Sequence, residues 1–227
     1  MRIAVVDDDE EALEFVSMLL TQQGHTCVTF RRSQDVPVAL RRDTFDLLVL
    51  DWNMPALTGM EIMAWARATL PACPPVIILT SRADKDDISD ALNAGADDYI
   101  VKPESGSVIV ARVNAVLRRT SAGHATERVS HFGIYRFDQA KELVYVGDQQ
   151  ITLTAKEFHL AWVFFSNVDR PLSRAWLLEM VWNSVAELST RTLDMHVSRI
   201  RTKLQLRAEF GYRLQSVFGF GYRLESI

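Results

Sequence analysis

Hydrophobic positions in the first half of this chain come in short solid blocks rather than in alternation. IAVV (3–6), LLVL (47–50), VIIL (76–79) and YIV (99–101) are such runs, and the longer stretches between them carry apolar residues at helical spacing. Short runs apolar on both faces read as buried parallel strands, and the amphipathic stretches between them as crossover helices. VIVARVNAVLRR reads as the last helix of this part, its closing arginines suiting a helix C-terminus. TSAGHATERVS then has no periodicity and reads as a linker. Beyond it the pattern changes. FGIYRF, LVYVG and QITLT alternate as short strands, and AKEFHLAWVFFSN, SRAWLLEMVWN and TRTLDMHVSRIRTKL follow with helical spacing. YRLQSV, FGFG and YRLESI close the chain as two strands around a glycine turn. The predicted organisation is an α/β domain over residues 1–119, a linker at 120–130 and an α+β domain over 131–227.

Polar residues of one kind fall where the parallel strands end. Asp7 and Asp8, Asp51, Thr80 and Lys102 each sit at or just past the end of an apolar run. In an open parallel sheet the site forms outside the carboxyl ends of the strands, so three carboxylates, a hydroxyl and an ammonium converge there. Neighbouring carboxylates raise one another's pKa, and a hard divalent cation with oxygen ligands, Mg2+ above all, relieves that repulsion. Taken singly, an Asp after a strand is most often a cap or a turn residue, and a Lys before Pro a solvated one. Their coincidence at four strand ends favours a site.

VVDDDEE, LLVLDWNMPALTG, VIILTS and GADDYIVKP together resemble the receiver domain of bacterial two-component response regulators over residues 1–119. The resemblance implies a five-stranded, doubly wound, flavodoxin-like parallel sheet. Asp51 would accept a phosphoryl group from a phosphohistidine on a sensor histidine kinase. Asp7, Asp8, Asp51 and the backbone carbonyl of Asn53 would hold Mg2+, Lys102 and Thr80 would meet the phosphoryl oxygens, and Tyr99 would follow Thr80 inward as a switch. The face of the fourth helix, fifth strand and fifth helix would then form a homodimer. Asp98 with Arg112 and Asp97 with Arg119 stand where the family uses intermolecular ion pairs. Ile88 and Val108 replace a third pair with two apolar residues, predicting a contact less sensitive to salt. Ser81 and Glu104 also depart from the pattern, and Glu104 is expected to bring a further carboxylate near Lys102.

In the second half, LTAKEFHL, RPLSRAWLLEMVW, RTLDMHVSRIRTKL and GFGYRL resemble the winged-helix DNA-binding domain of the OmpR/PhoB class. On the helix expected from Thr190 to Leu206, Leu193, Val197, Ile200 and Leu204 form an inward stripe. Arg191, Thr192, His196, Ser198, Arg199, Arg201 and Lys203 flank it and are expected to face the major groove of double-stranded promoter DNA. By resemblance Arg199 reads bases, and Arg191, His196 and Arg201 hold phosphates. RNA polymerase is a further implied partner. Phe218 stands where many members carry a basic wing residue, leaving Arg223 or Arg213 to substitute for it. The stripe Phe158, Trp162, Phe164, Phe165, Trp176 and Trp182 is expected in the core.

Charge sharpens the division. Residues 1–119 hold 12 Lys and Arg against 18 Asp and Glu, and residues 120–227 hold 13 against 11, within a chain of net charge −4. Residues 189–223 alone carry seven basic residues against two acidic ones, a local stripe able to meet a polyanion. Cys27 and Cys73 form no metal or redox motif. No leader pattern or membrane-length apolar run is evident, so a cytoplasmic protein is expected, without a membrane partner. Two other readings compete. A Mg2+-dependent phosphatase would use Asp7 as nucleophile within Asp7-Asp8-Asp9, but Glu11 replaces the Thr or Val that class requires. A DNA binder indifferent to phosphorylation would ignore Asp51.

Overall fold

The computed structural model describes residues 1–121, 129–182 and 190–227, in two units, Met1–Ala122 and Gly123–Ile227. In the first, β1 (Arg2–Val6), β2 (Thr26–Phe30), β3 (Leu47–Leu50), β4 (Val76–Thr80) and β5 (Asp98–Val101) pair in parallel in the order β2-β1-β3-β4-β5. Alternate strand residues face opposite layers. Ala4, Val6, Leu48, Leu50 and Ile78 pack on one side with α2 (Val36–Arg42), α3 (Gly59–Thr69) and α4 (Lys85–Asn93). Ile3, Val5, Val49, Ile77 and Leu79 pack on the other with α1 (Glu10–Gln22) and α5 (Gly106–Ser121). Both faces of the central strands are thus covered, which is why their sequences are unbroken apolar blocks. β2 lies at the sheet edge and is only partly covered, so TCVTF carries no such block. The chain order reverses at β1, whose neighbours are β2 and β3, and this opens a crevice beyond its carboxyl end.

The second unit begins with an antiparallel meander, β6 (Val129–Phe132), β7 (Tyr135–Asp138), β8 (Leu143–Val146) and β9 (Gln149–Ile151). Three helices follow, α6 (Ala155–Phe165), α7 (Arg174–Trp182) and α8 (Thr190–Lys203), and a C-terminal hairpin of β11 (Tyr212–Val217) and β12 (Gly221–Ser226). A two-residue strand, β10 (Leu172–Ser173), pairs with β12. The chain is therefore a receiver-type parallel sheet followed by a winged-helix domain. Phe158, Phe164, Phe165 and Trp176 are buried in one core with Tyr135, Phe137 and the α8 stripe, and Trp162 and Trp182 pack against it. The aromatic residues are structural, as their spacing predicts.

Three boundaries differ from the sequence reading. α5 runs on to Ser121 and β6 opens at Val129, so both ends of the stretch 120–130 carry regular structure, and residues 122–128 lie outside the described ones. The second domain accordingly starts before residue 131, because Val129 and Ser130 pair with Asp138 and Phe137. α8 stops at Lys203, not Leu206, and Gln205 turns the backbone to a φ of 52°. Leu204 and Leu206 remain buried beyond the helix, so apolar spacing alone overran its end.

One carboxylate fastens the second unit. Glu157 closes a reciprocal capping box with Thr154 at the start of α6 and accepts a hydrogen bond from Lys203 Nζ at 2.7 Å. Burial raises its pKa, yet the Lys203 ammonium and the Thr154 donors outweigh that and hold it below the usual glutamate value. A depressed folded-state pKa contributes stability above the unfolded value, which is lost as pH falls through the folded one. Glu157→Gln is therefore expected to cost about 1–3 kcal/mol at neutral pH, the range of a charge-assisted hydrogen bond. The deficit should vanish under acid, where the wild-type carboxylate is itself protonated. Urea unfolding of both proteins at several pH values checks this, and a deficit independent of pH would refute the assignment.

Candidate functional site

The crevice beyond β1 and β3 gathers the strand-end residues. Asp7, Asp8 and Asp51 each present a carboxylate oxygen within 4.8 Å of the others. Lys102, past the end of β5, places Nζ at 2.5 Å from Asp7 and 3.0 Å from Asp51. Asp51 is fixed from three sides. Its N–H donates to Val6 O at 2.8 Å, its Oδ2 accepts from Asn53 N at 2.7 Å, and its Oδ1 meets Lys102. Gly59, first residue of α3, completes the seat: a Cβ there would stand 2.2 Å from the Asp51 carbonyl oxygen, so only glycine lets the helix start so close. Glycine following Thr58, which caps α3 in a capping box with Glu61, is a signal the sequence reading quoted but left without a role.

One ammonium does not neutralise this cluster. Burial, with a contribution from the Asp51 charge, raises the Asp7 pKa despite Lys102. Burial works against the Lys102 ammonium, but Asp7 and Asp51 override it and hold its pKa above the usual lysine value. Asp7 and Lys102 thus both shift upward, the carboxyl chiefly because it is buried and the lysine because Asp7 and Asp51 face it. An all-oxygen, carboxylate-rich donor set of this kind suits a hard divalent cation. Asp9, by contrast, is the N-cap of α1, accepting from Glu11 N at 2.9 Å. The third Asp of Asp7-Asp8-Asp9 thus serves the start of a helix.

Thr80 ends β4 fully buried. Tyr99 on β5 is 6% exposed and donates its hydroxyl to the Arg82 carbonyl at 2.9 Å, an inward position. Two residues without an assigned role join it. Trp52 meets the Tyr99 ring edge-on at 6.3 Å between centroids. Arg82 lies 5.0 Å from the Trp52 ring centre and donates to Asn53 Oδ1 at 3.1 Å. Glu104 does not crowd Lys102 as expected. Its Oε1 accepts from Ser105 N at 2.7 Å, a local turn bond just before α5.

On the face of α4, β5 and α5, Arg112 meets Asp98 at 2.9 Å within one chain. The Asp97 carboxylate is otherwise engaged: it accepts from Val76 N at 2.8 Å and pairs with Arg67 at 3.2 Å. Arg119 reaches the Asp97 backbone carbonyl at 3.2 Å instead of its carboxylate. Within the single chain the Asp97 carboxylate thus serves the start of β4 and Arg67, with Arg119 beside it. Ile88, Leu92 and Tyr99 line a shallow depression on this face, and Val108 lines a second one beside Asp98 and Arg112.

Leu193, Val197, Ile200 and Leu204 are all buried, which turns the opposite side of α8 outward. Arg191, Ser198 and Arg199 are exposed, and neither arginine meets an acceptor among the described residues. Thr192 and His196 are half-buried, tied to one another through a 2.8 Å bond from the imidazole to the Thr192 carbonyl, and His196 packs edge-on against Trp182. Arg201 donates to the Leu214 carbonyl at 2.7 Å, and Lys203 is held by Glu157 and the Thr152 carbonyl. In the hairpin, Arg213 and Arg223 both pair with Glu225. Helical spacing put all these heads on one outward face. Their length lets Arg201, Lys203 and Arg223 turn back onto acceptors of the domain itself, while Arg191 and Arg199 stay exposed.

The charge excess in the crevice yields a prediction. Since the fold disfavours ionised Asp7, Asp7→Asn should raise the unfolding midpoint of the first unit in cation-free buffer. The same variant should lose most of the stabilisation that Mg2+ confers on the wild type, about 2.7 kcal/mol at a hundredfold excess over the dissociation constant. Calorimetry with and without Mg2+ reads both, and equal Mg2+ responses would contradict the carboxylate site.

Comparison with known proteins agrees with both halves of this architecture. The response regulator receiver domain model matches residues 3–114, and that of the C-terminal domain of transcriptional regulatory proteins matches residues 148–224. The chain is 34% identical over 205 residues to the phosphate regulon transcriptional regulatory protein PhoB of Klebsiella pneumoniae, covering 90% of this chain and 89% of that one. It is 34% identical over 211 residues to the probable transcriptional regulator ycf27 of Pyropia yezoensis, covering 90% and 86%. Among solved structures, the receiver domain of the Francisella response regulator 1452 matches 52% of this chain and 98% of its own at 28% identity and a TM-score of 0.50. Kinship that runs through the acidic crevice and the winged helix alike makes this chain a member of the OmpR/PhoB class of two-component response regulators.

Proposed function

We propose that this protein receives a phosphoryl group on Asp51 from a phosphohistidine of a sensor histidine kinase and answers by dimerising on promoter DNA. The observation that carries the reading is the Lys102 ammonium bridging Asp7 and Asp51 at the mouth of the parallel sheet. A carboxylate oxygen of Asp51 attacks phosphorus as the P–N bond to the kinase imidazole breaks. Lys102 then has phosphoryl oxygens to pair with, and Thr80 supplies a hydroxyl donor. Asp7, Asp8, Asp51 and the Asn53 carbonyl would hold Mg2+, which offsets the charge of donor and acceptor. The modification adds nearly two negative charges and three strong acceptors. In a site this short of positive charge, such an addition can bias a two-state element, here Thr80 with Tyr99.

The output surface is the face of α4, β5 and α5. Asp98 and Arg112 supply an ion pair there, Arg119 a further cation, and Ile88 with Val108 an apolar contact in place of a charged one. Transcription is the family's output, and the reading has no enzymatic turnover. Arg199 reads a base edge, with Arg191, Thr192, Ser198 and His196 beside it on the phosphates, and RNA polymerase is the final partner. No helix of the described residues is long and apolar enough to cross a membrane, which agrees with a cytoplasmic regulator.

Sedimentation with Mg2+ tests the coupling. Beryllofluoride, a phosphoryl mimic, should convert wild type to a dimer and leave Asp51→Ala unchanged. A mimic without effect on wild type would leave a DNA binder indifferent to phosphorylation as the better reading. On the same assay Ile88→Lys should weaken the activated dimer by about tenfold, since it buries a charge at an apolar contact. Raising the salt should weaken the wild-type dimer only slightly. Unchanged association of the Ile88 variant would remove that residue from the interface.

A further inference from the structure

Phe218 is the most exposed large apolar side chain among the described residues, at 104% of its reference surface. It stands at the tip of the hairpin between β11 and β12, in a tight turn closed by Phe220 N donating to Val217 O at 3.0 Å. The turn needs a left-handed residue, and Gly219 supplies it at a φ of 68°. Beneath the tip the stem is stiff. Six residue pairs keep register from Tyr212–Ser226 to Val217–Gly221, and Leu214 and Leu224 are buried. The stem is also pinned to the exposed-arginine helix: Tyr222 donates its hydroxyl to Asp194, and Arg201 donates to the Leu214 carbonyl. Helix α8 and the stem of the hairpin are therefore tied together.

The chemistry of the tip is unusual for an element next to a polyanion. Arg213 and Arg223, the cations of the hairpin, are both bound to Glu225. What the hairpin offers at its end is an aromatic ring. We propose that Phe218 is an apolar wedge that enters the minor groove of duplex DNA and opens a base step beside the site read by α8. This rests on the DNA-binding reading given above. Size decides between partners. A stable protein interface buries about 800 Å² on each side, whereas the tip offers Phe218 with only half-buried Val217 and Phe220 beside it, far too small an apolar surface for that. A single apolar side chain is enough to part a base step and kink the duplex. A wedge also explains how the hairpin can contribute without a free cation. It favours sites with a flexible pyrimidine–purine step at the wedge position, where unstacking costs least.

The test uses the full chain activated with beryllofluoride and a duplex selected by wild type from a random-sequence pool. Phe218 is solvated, so its replacement leaves the fold intact. Phe218→Ala should bind about tenfold more weakly, within the range of a lost aromatic–base contact. Its dependence on salt should not change, since no phosphate contact is lost, and the bend read by end-to-end energy transfer should disappear. Phe218→Arg should recover affinity without the bend, its log K falling more steeply with log salt by about 0.9 for the added phosphate contact. Wild-type affinity and bending in Phe218→Ala would overturn the wedge. So would an alanine variant that binds and bends normally but fails in transcription with polymerase, for then the ring meets a protein. Arg199→Ala separates the two levels of inference. If it abolishes binding while Phe218→Ala changes nothing, only the wedge fails. If wild type selects no duplex at all, the DNA-binding reading fails and the wedge with it.

Discussion

The receiver half depends on one electrostatic constraint, which is that Asp7, Asp8 and Asp51 converge where only Lys102 supplies positive charge. Like charges this close in a half-buried crevice are tolerated only with a countercharge. The fold meets the requirement in part. It leaves a surplus of negative charge that a cation can satisfy. Sheet topology creates the surplus: the parallel order β2-β1-β3-β4-β5 puts every strand's carboxyl end on one edge. The cluster is also firmly seated, since Asp51 is held by Val6, Asn53 and the close approach of Gly59.

The winged-helix half applies the opposite economy. Of its basic side chains, Lys203 fastens α6 through Glu157, Arg201 fastens the hairpin through the Leu214 carbonyl, and Arg213 and Arg223 share Glu225. These bonds hold α8 against its neighbours and align its remaining charges. A cation engaged in this way has to give up a hydrogen bond before it can serve a phosphate. Net charge per domain therefore overstates the electrostatic reach of this domain: of the seven basic residues between 189 and 223, Arg191, Arg199 and Arg207 are the three exposed without an acceptor among the described residues.

Much of this was legible in the sequence because burial and strand-end chemistry leave local marks. Central strands appear as solid apolar blocks, the α8 core as a 3–4 spacing, and the acidic crevice as Asp, Thr and Lys at the ends of those blocks. The edge strand β2 left no block because one side of it is open. The end of α8 was misplaced because Leu204 and Leu206 stay buried after the helix has turned at Gln205. Side-chain partnerships were the least legible. Nothing in the order of residues shows that Glu104 bonds its neighbour's N–H, that Asp97 turns to Val76 and Arg67, or that Arg82 spans Trp52 and Asn53. Those choices depend on competing acceptors brought near by tertiary folding.

Under the proposed function, the scarcity of free cations would give dimerisation a physical purpose. Log K for DNA falls with log salt by about 0.9 for each phosphate neutralised. Two phosphate contacts would give one winged helix about a tenfold loss of affinity across a fourfold rise in salt. Joining two such heads makes the second contact intramolecular, and linked binding of this kind strengthens the whole by about 10²–10⁴ without any new residue at either site. A domain that already held DNA tightly through every one of its seven basic positions between 189 and 223 would gain little regulation from pairing. With Arg201, Lys203, Arg213 and Arg223 engaged in the fold, the proposed function would make occupancy depend on the state of the receiver through the number of heads that arrive together.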